Sequence, residues 1–244
     1  MGGLSNLHIA LRIAKLMKLI GILQGVAAYR EIAEEYIPEI IPPLQNVVQL
    51  VRGEYQFQQF PVFAPNMPPA AITILNFNNG RFIHGETTLG ITQLVMTPKG
   101  DSVAAASTDQ ADLVLEHLID MLDAKLGYRL RQSTKTKIYW SHVVIEFDKG
   151  IEQYIDKFAS AEEIITKRAA KGAFKLKGLN FSTSTSTSQG QPIIDPIDFL
   201  DAQDFIIERR VDYPFDQNRF FSSAPLSTKA HIEALQEIEA TFRT

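Results

Sequence analysis

The sequence contains no cysteine, and this absence excludes several kinds of chemistry at once. Without thiols the chain cannot form a disulfide, a thiolate-ligated zinc site or an iron–sulfur cluster, and it cannot use a cysteine nucleophile. Familiar catalytic patterns are missing as well, because there is no P-loop, G-x-G-x-x-G, G-x-S-x-G or H-E-x-x-H. These absences argue against nucleotide hydrolysis, dinucleotide chemistry, serine hydrolysis and zinc proteolysis.

Positive charge is also in short supply. The 24 Lys and Arg are outnumbered by 28 Asp and Glu, which gives a formal net charge of -4 and a pI near 5.8. Binding to nucleic acid is driven largely by clustered Lys and Arg, so we expect no nucleic-acid partner. The hydrophobic content of 45% over 244 residues is that of an ordinary soluble globular protein with a full core.

No uninterrupted apolar run is long enough to span a bilayer. The most apolar stretch, residues 4–28, is interrupted by Arg12, Lys15 and Lys18, whereas a spanning helix needs about 20 apolar residues. These basic residues lie inside the stretch rather than ahead of it, which fits a signal peptide poorly. We therefore expect a cytoplasmic protein.

The clearest single element is a helix over residues 107–127. Ser107 followed by Gln110 is a capping box, and Gly127 supplies the left-handed residue that commonly ends a helix. The apolar residues between them recur at helical spacing and form one stripe: Ala111, Val114, Leu115, Leu118, Met121 and Leu122. Because strand-like segments precede and follow it, this helix should cover one face of a sheet.

Strands are predicted on both sides of that helix. Asn79-Gly80 between two strand-like runs is the strongest short-range signal for a hairpin. The predicted strands are residues 72–78, 81–86, 91–97, 102–106, 138–147, 173–181, 204–211 and 220–224. Further helices are expected from Gly150 to Ala170 and from Ser227 onward.

The whole pattern predicts an α+β protein. A mainly antiparallel sheet system, a meander with the Asn-Gly hairpin, is covered by amphipathic helices. We divide the chain into an N-terminal helical segment, residues 1–53, and an α+β domain, residues 54–244, with two possible lobes at 54–127 and 128–244. Ser107-Thr108 and Ser227-Thr228 each open a predicted helix, which is a faint sign of duplication. Residues 182–191 are low in complexity and fit either a linker or an extension of the preceding strand.

The N-terminal segment is predicted to contain an amphipathic helix. Its apolar side would carry Ile9, Ile13, Leu16, Ile20 and Leu23, opposite the three basic residues. Such a helix usually covers a core. Alternatively, it docks on a partner protein or lies on an anionic membrane surface.

Two pairs of polar side chains are candidates for a pocket. His84 and Glu86 share one face of the predicted hairpin strand, and His142 and Glu146 share one face of the strand at 138–147. If the two strands were neighbours, the four residues could bind a divalent metal or perform acid–base catalysis. The simpler interpretation places each pair on the solvated side of its sheet, so we predict no metal, cofactor or catalytic residue.

A charge run on a predicted strand has two interpretations. Glu208, Arg209, Arg210 and Asp212 could form a phosphate or carboxylate site through the paired arginines. Cross-strand salt bridges on a solvated face are the interpretation we prefer.

For function, the sequence favours a non-enzymatic protein that acts through protein–protein association, as a subunit of a homo- or hetero-oligomeric assembly. The reasons are the lack of a catalytic motif and the long apolar N-terminal segment. One alternative is an enzyme or small-ligand-binding protein with a pocket between the sheet and the helices. The other is a membrane-active protein that uses the N-terminal amphipathic helix.

Overall fold

The protein is built around one antiparallel sheet with helices packed against it. The structure, a computed structural model, describes residues 17–30, 43–63, 74–98, 100–132, 136–151, 156–168, 175–182, 204–210 and 212–241. The strands in this part of the chain are β1 (Met17–Arg30), β2 (Leu75–His84), β3 (Thr87–Thr97), β4 (Gly100–Ala105), β5 (Thr136–Phe147), β6 (Gly178–Phe181), β7 (Phe205–Arg209) and β8 (Arg219–Ala224). The helices are α1 (Leu44–Tyr55), α2 (Thr108–Leu126), α3 (Asp156–Arg168) and α4 (Thr228–Thr241). The eight strands are ordered β2-β3-β4-β1-β5-β8-β7-β6, which confirms the predicted α+β class.

Helix α2 begins and ends where its local signals predict. The Ser107 side chain accepts a hydrogen bond from the Gln110 backbone N–H at 3.3 Å, and Gly127 ends the helix with a φ of 73°. The predicted apolar stripe is buried throughout, in a core shared with α1 and with the inward-facing side chains of β2, β3 and β4.

A second core lies beneath α4. It joins Leu235 of α4 to Val143 and Ile145 of β5, whereas Tyr139 of the same strand packs against the first core. Residues two apart on a strand share a face. Helices α2 and α4 therefore cover the same face of the sheet, on its two halves.

The two halves of the chain repeat one order of elements. The first half reads β1-α1-β2-β3-β4-α2 and the second reads β5-α3-β6-β7-β8-α4. At the centre of the sheet Gly25 of β1 pairs with Ser141 of β5, and each also pairs with the last residue of an outer strand, Ala105 or Ala224. The sheet runs without a break through the β1–β5 pair. The predicted division into lobes at 54–127 and 128–244 is therefore not confirmed.

The two Ser-Thr pairs that suggested a duplication lie where the two halves of the chain contact each other directly. The Thr108 backbone N–H donates to Thr228 Oγ1 at 3.0 Å, and the Thr228 backbone N–H donates to Thr108 Oγ1 at 2.7 Å. The first N–H groups of a helix have no partner within the helix. Each threonine therefore satisfies a free donor at the start of the other half's helix.

We expect Thr228→Val to lower the free energy of unfolding by about 2 kcal/mol, because it leaves the buried Thr108 N–H without its acceptor. Thr228→Ser keeps the hydroxyl oxygen and should retain most of the stability. Urea unfolding followed by the fluorescence of Trp140, the single tryptophan, measures both variants. If Thr228→Val and Thr228→Ser lowered the free energy of unfolding equally, this result would contradict the assigned hydrogen bonds.

The predicted N-terminal helix is wrong over residues 17–30, which form the central strand β1. This strand pairs with β4 and with β5, and Ala27 and Ala28, on its two opposite faces, are both buried. A strand buried on both faces has a nearly continuous apolar run, which periodicity alone does not distinguish from a buried helix. The domain predicted as residues 1–53 therefore contributes the middle of the sheet.

Two irregularities in β1 coincide with two of the residues that suggested helical spacing. The pairing of β1 with β5 shifts register between Leu19 and Gly21 and again between Ile22 and Gln24. Each shift adds one residue to β1, as a β-bulge does. The extra residues Ile20 and Leu23 are three apart, which resembles the period of a helix. Of the predicted apolar stripe, Ile9, Ile13 and Leu16 lie outside the described residues.

The predicted Asn79-Gly80 hairpin is wrong, because both residues lie inside β2. Asn79 does adopt a left-handed φ of 55°, but Gln59 exchanges backbone hydrogen bonds with Asn78 at 3.2 and 2.9 Å. The Phe57 ring lies directly over Gly80. The segment after α1 thus holds this part of β2 extended.

The turn of this hairpin lies at Gly85-Glu86 instead. His84 pairs with Thr87, and Gly85 has a φ of 60°, so glycine occupies the first central position of a two-residue turn. Glu86 is therefore in the turn and does not share a strand face with His84. The alternatives for residues 182–191 concern positions that, after Ser182, lie outside the described residues.

Candidate functional site

The four polar candidates are not brought together. His84 and Glu86 are exposed at one edge of the sheet, and His142 and Glu146 lie on β5 at its centre. Three strands separate β2 from β5, which places them about 19 Å apart at the usual strand spacing. Among the described residues no group of three or more His, Asp or Glu side chains could hold a metal ion.

His142 lies among aromatic rings. The Trp140 ring centroid is 4.2 Å from it and the Phe221 centroid is 5.2 Å from it. Burial lowers the pKa of His142 below its ordinary value. On the same face Glu146 forms an ion pair with Arg219 at 3.3 Å. His142 thus contacts aromatic rings and Glu146 forms an ion pair, so the two residues of the predicted pair have separate partners.

A buried histidine that the sequence does not single out lies on the opposite face of β5. His231 of α4 is within hydrogen-bond distance of Ser141 Oγ at 2.8 Å and of Ser222 Oγ at 2.9 Å. Ser222 donates its only hydroxyl proton to the Ile206 carbonyl oxygen, so it accepts from Nε2–H, and Nδ1 accepts from Ser141. Neither His231 nor Ser141 belongs to a sequence motif or to the candidate residues named above.

This Ser–His–Ser chain is internal and not a catalytic site. All three side chains are fully buried, between α4 and the sheet. Burial, together with the charge of His142, lowers the pKa of His231 to about 4, so the ring is neutral at physiological pH. The chain satisfies polar groups in the core and offers no hydroxyl to a substrate.

The two neighbouring arginines of the charge run have different partners. Arg209 is buried, with its guanidinium 4.8 Å from the Phe220 ring centroid. Arg210 pairs with the exposed Asp212 at 2.6 Å. Both residues nevertheless border one groove of about 320 Å³, together with Lys177 and Glu208.

The most unusual surface lies on the first half of β1. Four large apolar side chains there, Leu19, Ile20, Ile22 and Leu23, are between 36% and 52% exposed. Two of them, Ile20 and Leu23, belong to the apolar surface predicted from the sequence. We call these four residues the β1 apolar segment. A cluster of this kind on a central strand is a candidate for an interaction site.

One backbone edge of the same segment has no partner among the strands that the structure describes. Pairing between β1 and β4 begins only at Gly25, because β4 ends at Ala105. Within the described ranges, residues 17–24 therefore pair with β5 alone. On the far side of the gap, residues 87–90 of β3 pair with β2 and with no other strand in the described part of the chain. The end of β4 thus leaves an interval between β1 and β3 that no described strand fills, and we call this interval the slot.

A groove of about 440 Å³ lies at the closed end of this slot. The lining residues that matter here are Leu23, Arg81, Gly90, Thr92, Ala105 and Ala106. Arg81 is the only charged residue of the lining, and it forms no ion pair with any residue that the structure describes. The slot therefore combines a free strand edge, apolar side chains and one positive charge.

Among the described residues, no helix is long and apolar enough to cross a membrane. No protein-family model matches this chain, and no curated protein is significantly similar to it.

Proposed function

We propose that this chain is a non-enzymatic protein that acts through protein–protein association, as a subunit of a larger assembly in the cytoplasm. The observation that carries the proposal is the β1 apolar segment, which is exposed on the central strand beside a backbone edge that no described strand pairs with. An exposed edge with apolar side chains is a template for pairing with another chain, and proteins ordinarily protect such edges with charge, proline or a covering element.

Burial of the β1 apolar segment in such an interface would contribute substantially to the free energy of binding. Each of the four side chains would bury roughly half of its surface on association, which contributes about 1 kcal/mol per residue. Together they would contribute about 4 kcal/mol, on the order of a thousandfold in affinity. The chain carries a net charge of -4, and we expect its partner to be a protein and not nucleic acid.

Site-specific photo-crosslinking in the native host tests this proposal. A photoreactive amino acid replaces Leu23 in one variant and Ile164 of α3 in the matched control, since these side chains are 52% and 54% exposed. We expect a specific intermolecular adduct at position 23 and none at position 164. Mass spectrometry of the adduct distinguishes a second copy from a different protein.

A second substitution tests whether crosslinking at position 23 depends on the β1 apolar segment. Adding Ile22→Asp to the Leu23 variant places a charge within the β1 apolar segment and should reduce the adduct at least about tenfold. Circular dichroism checks that this variant is folded. Equal adducts at positions 23 and 164, or an adduct that persists with Ile22→Asp, would refute the proposed surface.

A further inference from the structure

We propose that the slot beyond the end of β4 receives one extended segment of a partner protein, which carries an acidic side chain that pairs with Arg81. This inference rests on the proposed function and adds the form and chemistry of the partner. It depends on three features of the slot: its width, the direction of its two edges, and its charge.

The width of the slot admits a single strand. Where β4 is present it occupies the whole interval between β1 and β3, so the two are two strand spacings apart, about 10 Å. Beyond Ala105 both neighbours continue, β1 back to Met17 and β3 back to Thr87. A second copy of the chain would present its β1 already paired with β5, and that paired edge is too broad to enter. The partner is therefore an isolated extended segment.

The two edges of the slot favour one direction for this segment. β1 and β3 are each antiparallel to β4, so they are parallel to one another. An entering strand consequently has the same orientation relative to both edges. Antiparallel pairing is slightly more stable per residue than parallel pairing. The segment would therefore continue the line of β4 and extend the sheet through main-chain hydrogen bonds on both sides.

Charge and apolar contacts define the side chains of the segment. Arg81 lies directly opposite Gly90 on the β2–β3 ladder, and its side chain is exposed. Because Arg81 is the only charge among the described residues of the groove lining, a carboxylate is the complementary group. Leu23 and Ala106 offer apolar contacts. We therefore expect a segment with alternating apolar residues and one Asp or Glu.

Selection from a random dodecapeptide library displayed on phage tests the inference with the whole protein. The library is selected in parallel against the natural chain, against Arg81→Glu and against Lys229→Glu, which changes an exposed lysine on α4. Peptides enriched on the natural chain and on Lys229→Glu should contain Asp or Glu. Those enriched on Arg81→Glu should contain Lys or Arg at the same place. An acidic peptide should bind the natural chain at least about tenfold more tightly than Arg81→Glu.

Amide hydrogen exchange locates the bound peptide. Binding should slow exchange within residues 17–24, since their free edge becomes paired. The inference fails if no peptide is enriched, if the same peptides are enriched on all three proteins, or if residues 17–24 are not protected. Crosslinking at position 23 with no charge preference would refute strand addition here and leave association through the β1 apolar segment standing.

Discussion

Gly25→Ala should destabilise the protein by about 4 kcal/mol, a large part of the roughly 5–15 kcal/mol typical of a folded domain. A Cβ at this position would lie closer than 3.0 Å to backbone atoms of Ser107 and Thr108. A backbone cannot rotate away as a side chain can. The start of α2 would have to move off β1, and the Thr108–Thr228 hydrogen bonds would break with it.

Gly21→Ala is the matched control on the same strand. A Cβ at Gly21 meets no atom within 4 Å, so this variant should stay within about 1 kcal/mol of the natural protein. Thermal unfolding should show a fall in Tm of roughly 8–16 °C for Gly25→Ala and little change for Gly21→Ala. Comparable shifts in the two variants would mean that β1 and α2 do not approach as closely as described.

The stability of the protein should fall by about 3 kcal/mol between pH 7.5 and pH 4 because of His231 alone. Its pKa in the folded protein is about 4, below the ordinary value of 6.5. Between these values the unfolded chain binds a proton that the buried ring does not. The contribution of His231 to the free energy of unfolding is therefore fully present above pH 6.5 and is lost as the pH falls toward 4. His142, whose pKa burial also lowers, acts in the same direction.

His231→Gln separates this contribution from that of the acidic residues. The glutamine amide offers an acceptor for Ser141 and a donor for Ser222 but does not titrate in this range. The pH-dependent loss, measured by urea unfolding at each pH, should be about 3 kcal/mol smaller than in the natural protein. His84→Gln, at an exposed histidine, controls for the loss of a histidine as such. The same change in both variants would argue against a buried, neutral His231.

Local sequence signals correctly predicted those elements in which every local feature indicates the same structure. Helix α2 has a cap at Ser107, an unbroken apolar stripe and a glycine end, and the structure confirms all three. Strand β5 was predicted at residues 138–147 and is observed at Thr136–Phe147. In both cases a short stretch of sequence contains the whole signal.

Local signals failed where distant residues determine the backbone. Asn79-Gly80 has ideal turn chemistry, but Gln59 and Phe57 hold that segment in the sheet. The apolar spacing of β1 suggested a helix, because the neighbouring strands and two register shifts were not visible in the sequence. The sequence correctly indicated that the segment is apolar, but it did not predict that the segment forms a strand.

The amino-acid sequence by itself determined the α+β class, the helix at 107–127 and the apolar character of the N-terminal region, because each depends on residues close together in the chain. The tertiary structure alone decided that β1 is central, that His231 lies between Ser141 and Ser222, and that the early end of β4 leaves a slot beside Leu23 and Arg81. These features join residues from separate strands and helices. The lengths and register of those elements are set by packing across the whole sheet.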